Sequence, residues 1–184
     1  MKLRNFLVVV LVFGGLTALN AQPVVKGDKL LNLGIGLGST LYSGSYYTST
    51  LPPVSASLEV VVKDGLLDNK AAIGIGGYAG LAGYKYDYQG WGYKYTNIII
   101  GPRGYLHYNF LDKLDTYTGL LVGYDIVKAT EFGTAPGWNY EASSSGLIWS
   151  WFAGGRYFFN DNLAGMVELG YGIAYLNLGV TFKF

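Results

Sequence analysis

The sequence predicts an all-β protein, an eight-stranded, antiparallel, up-and-down transmembrane β-barrel. Apolar residues alternate with small or polar residues at a period of two nearly throughout the mature chain, which is the side-chain period of a strand. The 184 residues include 28 glycines and 17 tyrosines, and only 14% are charged. Glycines that fill a narrow lumen and aromatic residues that form belts at both membrane interfaces are typical of such barrels.

The third observation is the carboxy-terminal strand, residues 175–184. Its even-numbered residues are all apolar, its odd-numbered residues from Asn177 onward are small or polar, and it ends at Phe182 and Phe184. An outer-membrane barrel usually closes on such a strand, so Phe182 and Phe184 are predicted to form its terminal signal. A soluble β-sandwich or a lipocalin-like barrel is the alternative, but outward faces this apolar would aggregate in water.

The first half of the mature chain contains four predicted strands, at about residues 29–38, 54–63, 71–84 and 95–110. The first alternates leucine or isoleucine with asparagine or glycine. The second directs valine, alanine and leucine outward and Glu59 inward, and the third directs Ile73 and Ile75 outward. The fourth contains Pro102, which removes a ladder hydrogen bond and makes a bulge plausible there. Its inward residues are Asn97, Gly101, Arg103, Tyr105 and His107.

Four more strands are predicted at about residues 116–127, 146–159, 164–173 and at the carboxy terminus. The fifth strand directs Asp125 inward, the sixth directs Arg156 inward, and the seventh directs Glu168 inward and Ile173 outward. Three connections, at 64–69, 111–115 and 160–163, are short and polar, as periplasmic turns are. Three others, at 39–53, 85–94 and 128–145, are longer, as extracellular loops are. The termini are therefore expected in the periplasm.

Residues 1–21 are predicted to be a secretory signal peptide. Lys2 and Arg4 precede an apolar run that begins at Phe6, and 17–21 lead to a cleavage site before Gln22. A retained helical anchor is the alternative, but the run is short of the roughly 20 residues that span a bilayer. Residues 22–184 then form one barrel domain. Its near-neutral charge indicates no nucleic-acid partner, and the absence of cysteine excludes thiolate metal sites and cysteine nucleophiles.

Four short stretches of the sequence resemble a known family. They are 101–108 (GPRGYLHY), 155–159 (GRYFF), 168–172 (ELGYG) and 178–184 (LGVTFKF). These stretches are similar to the small outer-membrane β-barrel domain family common in Bacteroidetes, which is similar in architecture to OmpX and to the OmpA transmembrane domain. The resemblance implies a barrel fold and an outer-membrane location, and it implies no activity.

Charged residues and the single histidine are predicted to line the lumen, where eight strands leave room only for packed side chains. Ions buried there must pair, and we expect Arg103 and Arg156 to face Glu168 and Glu59. The predicted network consists of Glu59, Arg103, His107, Asp125, Arg156, Glu168 and Lys183. His107 is expected to be a structural, hydrogen-bonded residue. No catalytic residue, metal ligand or cofactor site is predicted.

A tyrosine-rich stretch at 84–95 is predicted to form a hairpin that extends beyond the membrane and roofs the barrel mouth. Aromatic pairs across the two strands would make it rigid. The alternative is a surface on which a sugar or another ligand stacks. The residues that would form this surface are Tyr86, Tyr88, Trp91, Tyr93, Trp138 and Tyr140.

The leading functional hypothesis is a non-enzymatic outer-membrane protein with a packed lumen, which supports the membrane and displays its loops. A binding or adhesion module that uses the aromatic loops, and a narrow channel for small solutes, remain alternatives. The expected partners are outer-membrane lipid or lipopolysaccharide, the barrel-insertion machinery and, for the binding alternative, a glycan or another surface ligand.

Overall fold

Eight antiparallel strands form one closed barrel in the computed structural model, which describes residues 24–134, 142 and 144–184. The predicted fold class is therefore confirmed. The strands are β1 (Lys29–Ser39), β2 (Tyr47–Leu66), β3 (Ala71–Tyr88), β4 (Trp91–Leu111), β5 (Leu114–Phe132), β6 (Gly146–Phe158), β7 (Leu163–Tyr171) and β8 (Ala174–Lys183). The predicted signal peptide lies outside the described residues.

The barrel closes where β1 meets β8. Their register runs from Leu30 opposite Lys183 to Ser39 opposite Ala174. One residue beyond this ladder, Lys29 and Phe184 exchange both backbone hydrogen bonds at 3.0 Å. The carboxy-terminal strand is therefore paired along its length, and no sheet edge is left open at the seam.

The outer surface is an apolar band that ends in aromatic residues. Outward side chains on β4, such as Ile98, Ile100 and Leu106, are 44–48% exposed although they are large and apolar. Tyr108 and Phe110 form an aromatic pair at one end of the band, 4.7 Å apart. At the other end, Trp149 and Tyr171 lie 5.8 Å apart. Such a band between aromatic belts is the lipid-facing surface of a transmembrane barrel.

The barrel is taller on one side than on the other. Strands β2 to β5 have 20, 18, 21 and 19 residues, whereas β1, β6, β7 and β8 have 9 to 13. About 9–11 residues of a tilted strand cross a bilayer. Most of the extra length of β2 to β5 lies at the end away from the termini, where it forms a wall that rises above the other four strands; β2 also extends past β1 at the other end. Residues 47–53, predicted as part of a loop, thus belong to β2, and the ends of β3 and β4 form the hairpin predicted at 84–95.

Two details of the predicted strands are wrong. The pairing of β4 with β3 is continuous through Pro102, and its register with β5 is the same on both sides of Pro102, so no bulge occurs there. The register shifts lie in β2, around residues 49–54 and 61–66, and at the end of β4, between Asn109 and Leu111. Ile173, predicted to face outward, is only 6% exposed. It lies in the tight β7–β8 turn after Gly172, whose φ of 107° reverses the chain and directs the next side chain inward.

No helix within the described residues is long and apolar enough to cross a membrane.

Candidate functional site

The lumen is filled in layers, and the buried inward side chains of β4 give their order. From the end nearest the termini to the far end they are His107, Tyr105, Arg103, Ile99, Asn97, Tyr95 and Trp91. Each is buried or nearly so. Successive inward residues of one strand lie about 7 Å apart along it, so each one contributes to a different layer.

The layer at His107 is a closed cluster of four charged side chains. The His107 Nε2 atom lies 2.5 Å from Glu59 Oε1, and its Nδ1 atom lies 3.0 Å from Asp115 Oδ1. Arg156 joins the same two carboxylates: NH2 donates to Glu59 Oε2 at 2.8 Å, and NH1 donates to Asp115 Oδ2 at 2.9 Å. All four side chains are at most 1% exposed.

This cluster is electrically balanced when the histidine is an imidazolium, because two carboxylates then face two cations. Both ring nitrogens of His107 point at carboxylate oxygens, and only the doubly protonated ring can donate to both. Gly74 makes the arrangement possible, since a β-carbon there would overlap the Glu59 carboxylate. The guanidinium of Arg156 also lies 4.1 Å from the centre of the Tyr117 ring. The cluster is therefore held by ion pairs and by ring packing together.

A second ion pair lies above the first cluster. Arg103 NH2 donates to Glu168 Oε2 at 3.0 Å, and the hydroxyl of Tyr117 donates to the same oxygen at 3.2 Å. The Arg103 guanidinium lies 3.5 Å from the centre of the Phe152 ring. The aromatic layer formed by Tyr105, Tyr117 and Phe152 thus separates the two sets of charges.

Apolar layers cover the charged layers at both ends. The layer nearest the termini consists of Val24, Leu30, Val61, Ala72, Phe158 and Ala164. The layer on the far side consists of Ile99, Leu121 and Ile173. Side chains in both layers are at most 6% exposed. The lumen is therefore a packed interior with an ionic centre.

Two residues of the predicted network lie apart from this ionic centre. Asp125 accepts a hydrogen bond of 2.7 Å from Asn97 Nδ2, beyond the far apolar layer. Lys183 lies at the opposite mouth, where its Nζ atom is 3.7 Å from Asp28 and 5.4 Å from the centre of the Phe158 ring. Among the described residues, Asp125 makes no ion pair with Arg103 or Arg156, and Lys183 makes none with Glu59 or Glu168.

Asp115 is the functional residue that sequence reasoning missed. It was assigned to the turn before the fifth strand, but β5 begins at Leu114 and directs Asp115 inward. The signal was present in the alternation of β5, because Asp115 is two residues before the inward Tyr117. Extending the period of two by one step would have placed it in the lumen.

The tall wall carries a cluster of aromatic residues on its concave face, which we call the aromatic cluster. Tyr42, from the connection between β1 and β2, lies at its centre, with its ring 4.8–5.2 Å from the rings of Tyr47, Tyr84 and Tyr95. The indole N–H of Trp91 donates to Glu131 Oε1 at 2.7 Å, which ties β4 to β5 near the top. The cluster holds the β1–β2 connection against the wall.

The residues proposed for ligand stacking differ in how far they are exposed. Trp91 and Tyr86 are 3% and 8% exposed and belong to the interior of the aromatic cluster. Tyr88 and Tyr93 are half-buried and pack against it. Tyr46 is 51% exposed, and its ring lies edge-on to Tyr88 at 5.2 Å. Trp138 and Tyr140 lie outside the described residues.

Comparison with solved structures supports the fold. The chain is similar to Ail, the attachment invasion locus protein of Yersinia pestis, solved in complex with the heparin analogue sucrose octasulfate: the TM-score is 0.52 and the identity 10%, covering 87% of this chain and 100% of that one. At this identity the likeness shows the fold alone. Neither a family model nor a curated protein matches the sequence.

Two further solved structures are similar in outline. The N-terminal β-barrel domain of OprF from Pseudomonas aeruginosa gives a TM-score of 0.46 at 13% identity, covering 86% of this chain and 98% of that one. A de novo designed transmembrane β-barrel gives a TM-score of 0.48 at 14% identity, covering 89% of this chain and 100% of that one.

Proposed function

We propose that this protein is a non-enzymatic outer-membrane barrel whose sealed lumen does not conduct, and whose tall wall displays a rigid aromatic surface outside the cell. The observation that carries the proposal is the closed ionic centre of the lumen, with Arg156 fully buried between apolar layers. The apolar outer band supports the membrane location. Both termini lie at one end with the β2–β3, β4–β5 and β6–β7 connections, which have two to four residues each. The two longest connections, β1–β2 and β5–β6, lie at the other end together with the tight β3–β4 and β7–β8 turns. We assign the end with the termini to the periplasm.

The geometry of His107 supports a role without catalysis. A catalytic histidine needs a substrate within hydrogen-bond reach of one ring nitrogen. Here both ring nitrogens are occupied by carboxylates, and the ring is fully buried. A substrate would have to displace an apolar layer to reach it.

The proposed partners follow from the outer surface. The acyl chains of membrane lipid and of lipopolysaccharide would cover the apolar band. The barrel-insertion machinery would engage β8 and its terminal residues Phe182 and Phe184, which are 42% and 63% exposed. Both phenylalanine rings would then lie at the periplasmic interface.

The first test combines gel migration with bilayer conductance. The folded barrel extracted in detergent should migrate differently before and after boiling, because strand closure resists detergent until it is heated. The same fraction should give no discrete conductance in a planar bilayer, because ions would have to cross two charged and two apolar layers. Discrete channels in the heat-sensitive fraction would contradict the sealed lumen and would favour a narrow solute channel.

A second candidate function is recognition of a glycan or another surface ligand. The observation that favours it is the exposed Tyr46 ring beside Tyr88, because aromatic faces at a rim suit stacking on sugars. The support beneath this pair is rigid, since Tyr46 also lies 6.1 Å from the buried Tyr86.

The double variant Tyr46→Ala/Tyr88→Ala tests this second function. If the pair recognises a glycan, binding of the barrel to an array of defined oligosaccharides should fall about tenfold or more, since one stacked ring contributes on the order of 1 kcal/mol. Tyr157→Ala is the matched control, because Tyr157 is equally exposed, at 52%, but lies at the other end of the barrel. Equal binding by wild type and both variants would exclude recognition by this pair.

A further inference from the structure

The outward face of the wall changes abruptly from apolar to basic where the apolar band ends. The cross-strand register of β3, β4 and β5 places the residues of this face in rows. The last apolar row is Leu81, Ile98 and Ile126; the next is Gly83, Thr96 and Lys128; and the one after is Lys85, Lys94 and Thr130. We call the two upper rows the lysine face.

The lysine face lies at the height of lipid headgroups. Rows are about 7 Å apart along a strand and, at a tilt near 40°, about 5 Å apart along the membrane normal. Lys128 is therefore about 5 Å, and Lys85 and Lys94 about 10 Å, beyond the last apolar row. The headgroup region of one leaflet is about 5–8 Å thick, and flexible lysine side chains can bend toward it.

The positive charges on this face are not balanced by the protein. Lys85 and Lys94 are directly opposite each other, and like charges in that position repel. Both ammonium groups lie over the ring of Phe132, at 4.6 and 6.0 Å from its centre. Asp87 pairs with Lys85 at 2.5 Å. Among the described residues, no carboxylate forms an ion pair with Lys94 or Lys128.

Asp87 remains a carboxylate in neutral solution. Its hydrogen bonds from the Lys85 ammonium and from the backbone N–H of Gly90 lower the pKa of its side chain. The carboxylate of Asp87 therefore offsets the charge of one of the three lysines, and the outward face of the wall keeps two excess positive charges. Thr96 and Thr130 add exposed hydroxyl donors between the lysines.

The opposite end of the barrel lacks such a surplus. Its lysines are mixed with aspartates along the short connections. The six lysines are Lys26, Lys29, Lys63, Lys70, Lys113 and Lys183, and the five aspartates are Asp28, Asp64, Asp68, Asp112 and Asp161. The outward face of the wall therefore has two lysines in excess of its carboxylate, whereas the end near the termini has one lysine in excess of its aspartates.

We propose that the lysine face binds the phosphate groups of lipid A, the lipid portion of lipopolysaccharide, in the outer leaflet. Phosphate oxygens accept several charge-assisted hydrogen bonds at once, and a phosphate placed between Lys94 and Lys128 relieves the repulsion along the rows. Acyl chains of the same lipid lie against Leu81, Ile98 and Ile126 directly below. This inference rests on the proposed function, because it requires the wall to project from the outer face of the membrane.

The test compares two triple variants of the full chain. Lys85→Gln/Lys94→Gln/Lys128→Gln removes the lysine face, and Lys63→Gln/Lys70→Gln/Lys113→Gln removes the same charge at the other end. Each protein is purified from the outer membrane of a Gram-negative host, delipidated in detergent and titrated with bisphosphorylated lipid A, with binding read by native mass spectrometry. We expect the first variant to bind about 10- to 100-fold more weakly than wild type, and the control to bind like wild type.

Dephosphorylated lipid A and phosphatidylglycerol test whether the lysine face recognises the phosphates of lipid A or any anionic lipid. Wild-type barrel should bind dephosphorylated lipid A at least about tenfold more weakly than the bisphosphorylated form, because the charge pairs are lost. Equal binding of both forms, or no loss in the first variant, overturns the inference. Binding of phosphatidylglycerol as tight as that of lipid A also overturns it, since the face would then recognise any anionic lipid.

A separate experiment measures which end of the barrel projects from the outer face of the membrane. The chain has no cysteine, so Gln89→Cys at the tip of the wall provides a single site for a membrane-impermeant maleimide on whole cells. Labelling of whole cells supports the proposed orientation. If the barrel is labelled but shows no preference for phosphorylated lipid A, only the proposed binding by the lysine face is overturned. If only broken cells are labelled, both the proposed display function and the inference that rests on it are overturned.

Discussion

Replacing Arg156 with methionine is expected to destabilise the barrel by about 3–5 kcal/mol, the usual cost of breaking a buried ion pair by removing one partner. Glu59, Asp115 and His107 would remain in a closed layer with an excess negative charge and no water to solvate it. The free energy of unfolding, measured by urea titration of tryptophan fluorescence in lipid vesicles, checks this expectation.

Two companion variants separate loss of charge balance from loss of packing. The double change Glu59→Gln/Arg156→Met leaves Asp115 opposite His107, so it should be less destabilising than Arg156→Met alone. Lys183→Met, at the mouth of the lumen, should change the unfolding free energy by less than about 1 kcal/mol, because a partly exposed pair contributes little. If Arg156→Met itself costs less than about 1 kcal/mol, the four-residue cluster does not stabilise the barrel.

Placing a lysine at Leu120 is expected to cost about 2–4 kcal/mol in a bilayer, the value for a charge at the midplane of a barrel's lipid face. Leu120 is 56% exposed, faces outward near the middle of the apolar band and lies opposite Gly104 and Trp151. Because Leu120 is so exposed, a lysine there would barely change the unfolding free energy in water. The expected loss of stability therefore arises only when lipid surrounds the barrel.

The measurement is the unfolding free energy of Leu120→Lys in phosphatidylcholine vesicles. Thr130→Lys is the matched control, because it adds the same side chain to the outward face of the same strand, above the band, and should cost at most about 1 kcal/mol. Equal unfolding free energies for the two variants would show that the outer face of β5 does not lie in hydrocarbon.

The period of two determined which residues face the lumen, and the reason is geometric. A slip of one residue would move a whole strand's apolar set to the other face, so a strand that borders lipid has a strongly specified register. Inward placement of Glu59, Arg103, His107, Arg156 and Glu168 could therefore be derived from alternation alone. The same argument holds for the outward leucines and isoleucines.

Predictions from alternation were wrong where a turn interrupts the period of two. Ile173 follows a glycine with a positive φ, and such a turn reverses the chain without preserving parity. The hairpin at 84–95 was predicted to extend beyond the membrane, but the extension of β2 up to Tyr47 and of β5 up to Phe132 beside it was not. A ligand surface that includes Trp91 was the alternative to a rigid aromatic roof. Trp91 is buried in the aromatic cluster, and its indole donates to Glu131 on β5, which is distant in sequence.

Sequence alone determined the strand number, the closed antiparallel class and the face of the charged residues within the predicted strands, because these depend on local period and on chain order. Only the tertiary structure decided that His107 lies between Glu59 and Asp115, that Arg156 also pairs with Asp115, and that three lysines converge at the end of the apolar band. These contacts depend on the stagger between neighbouring strands and on height within the barrel. Both are set by the pairing of whole strands around the closed sheet, which no single strand specifies.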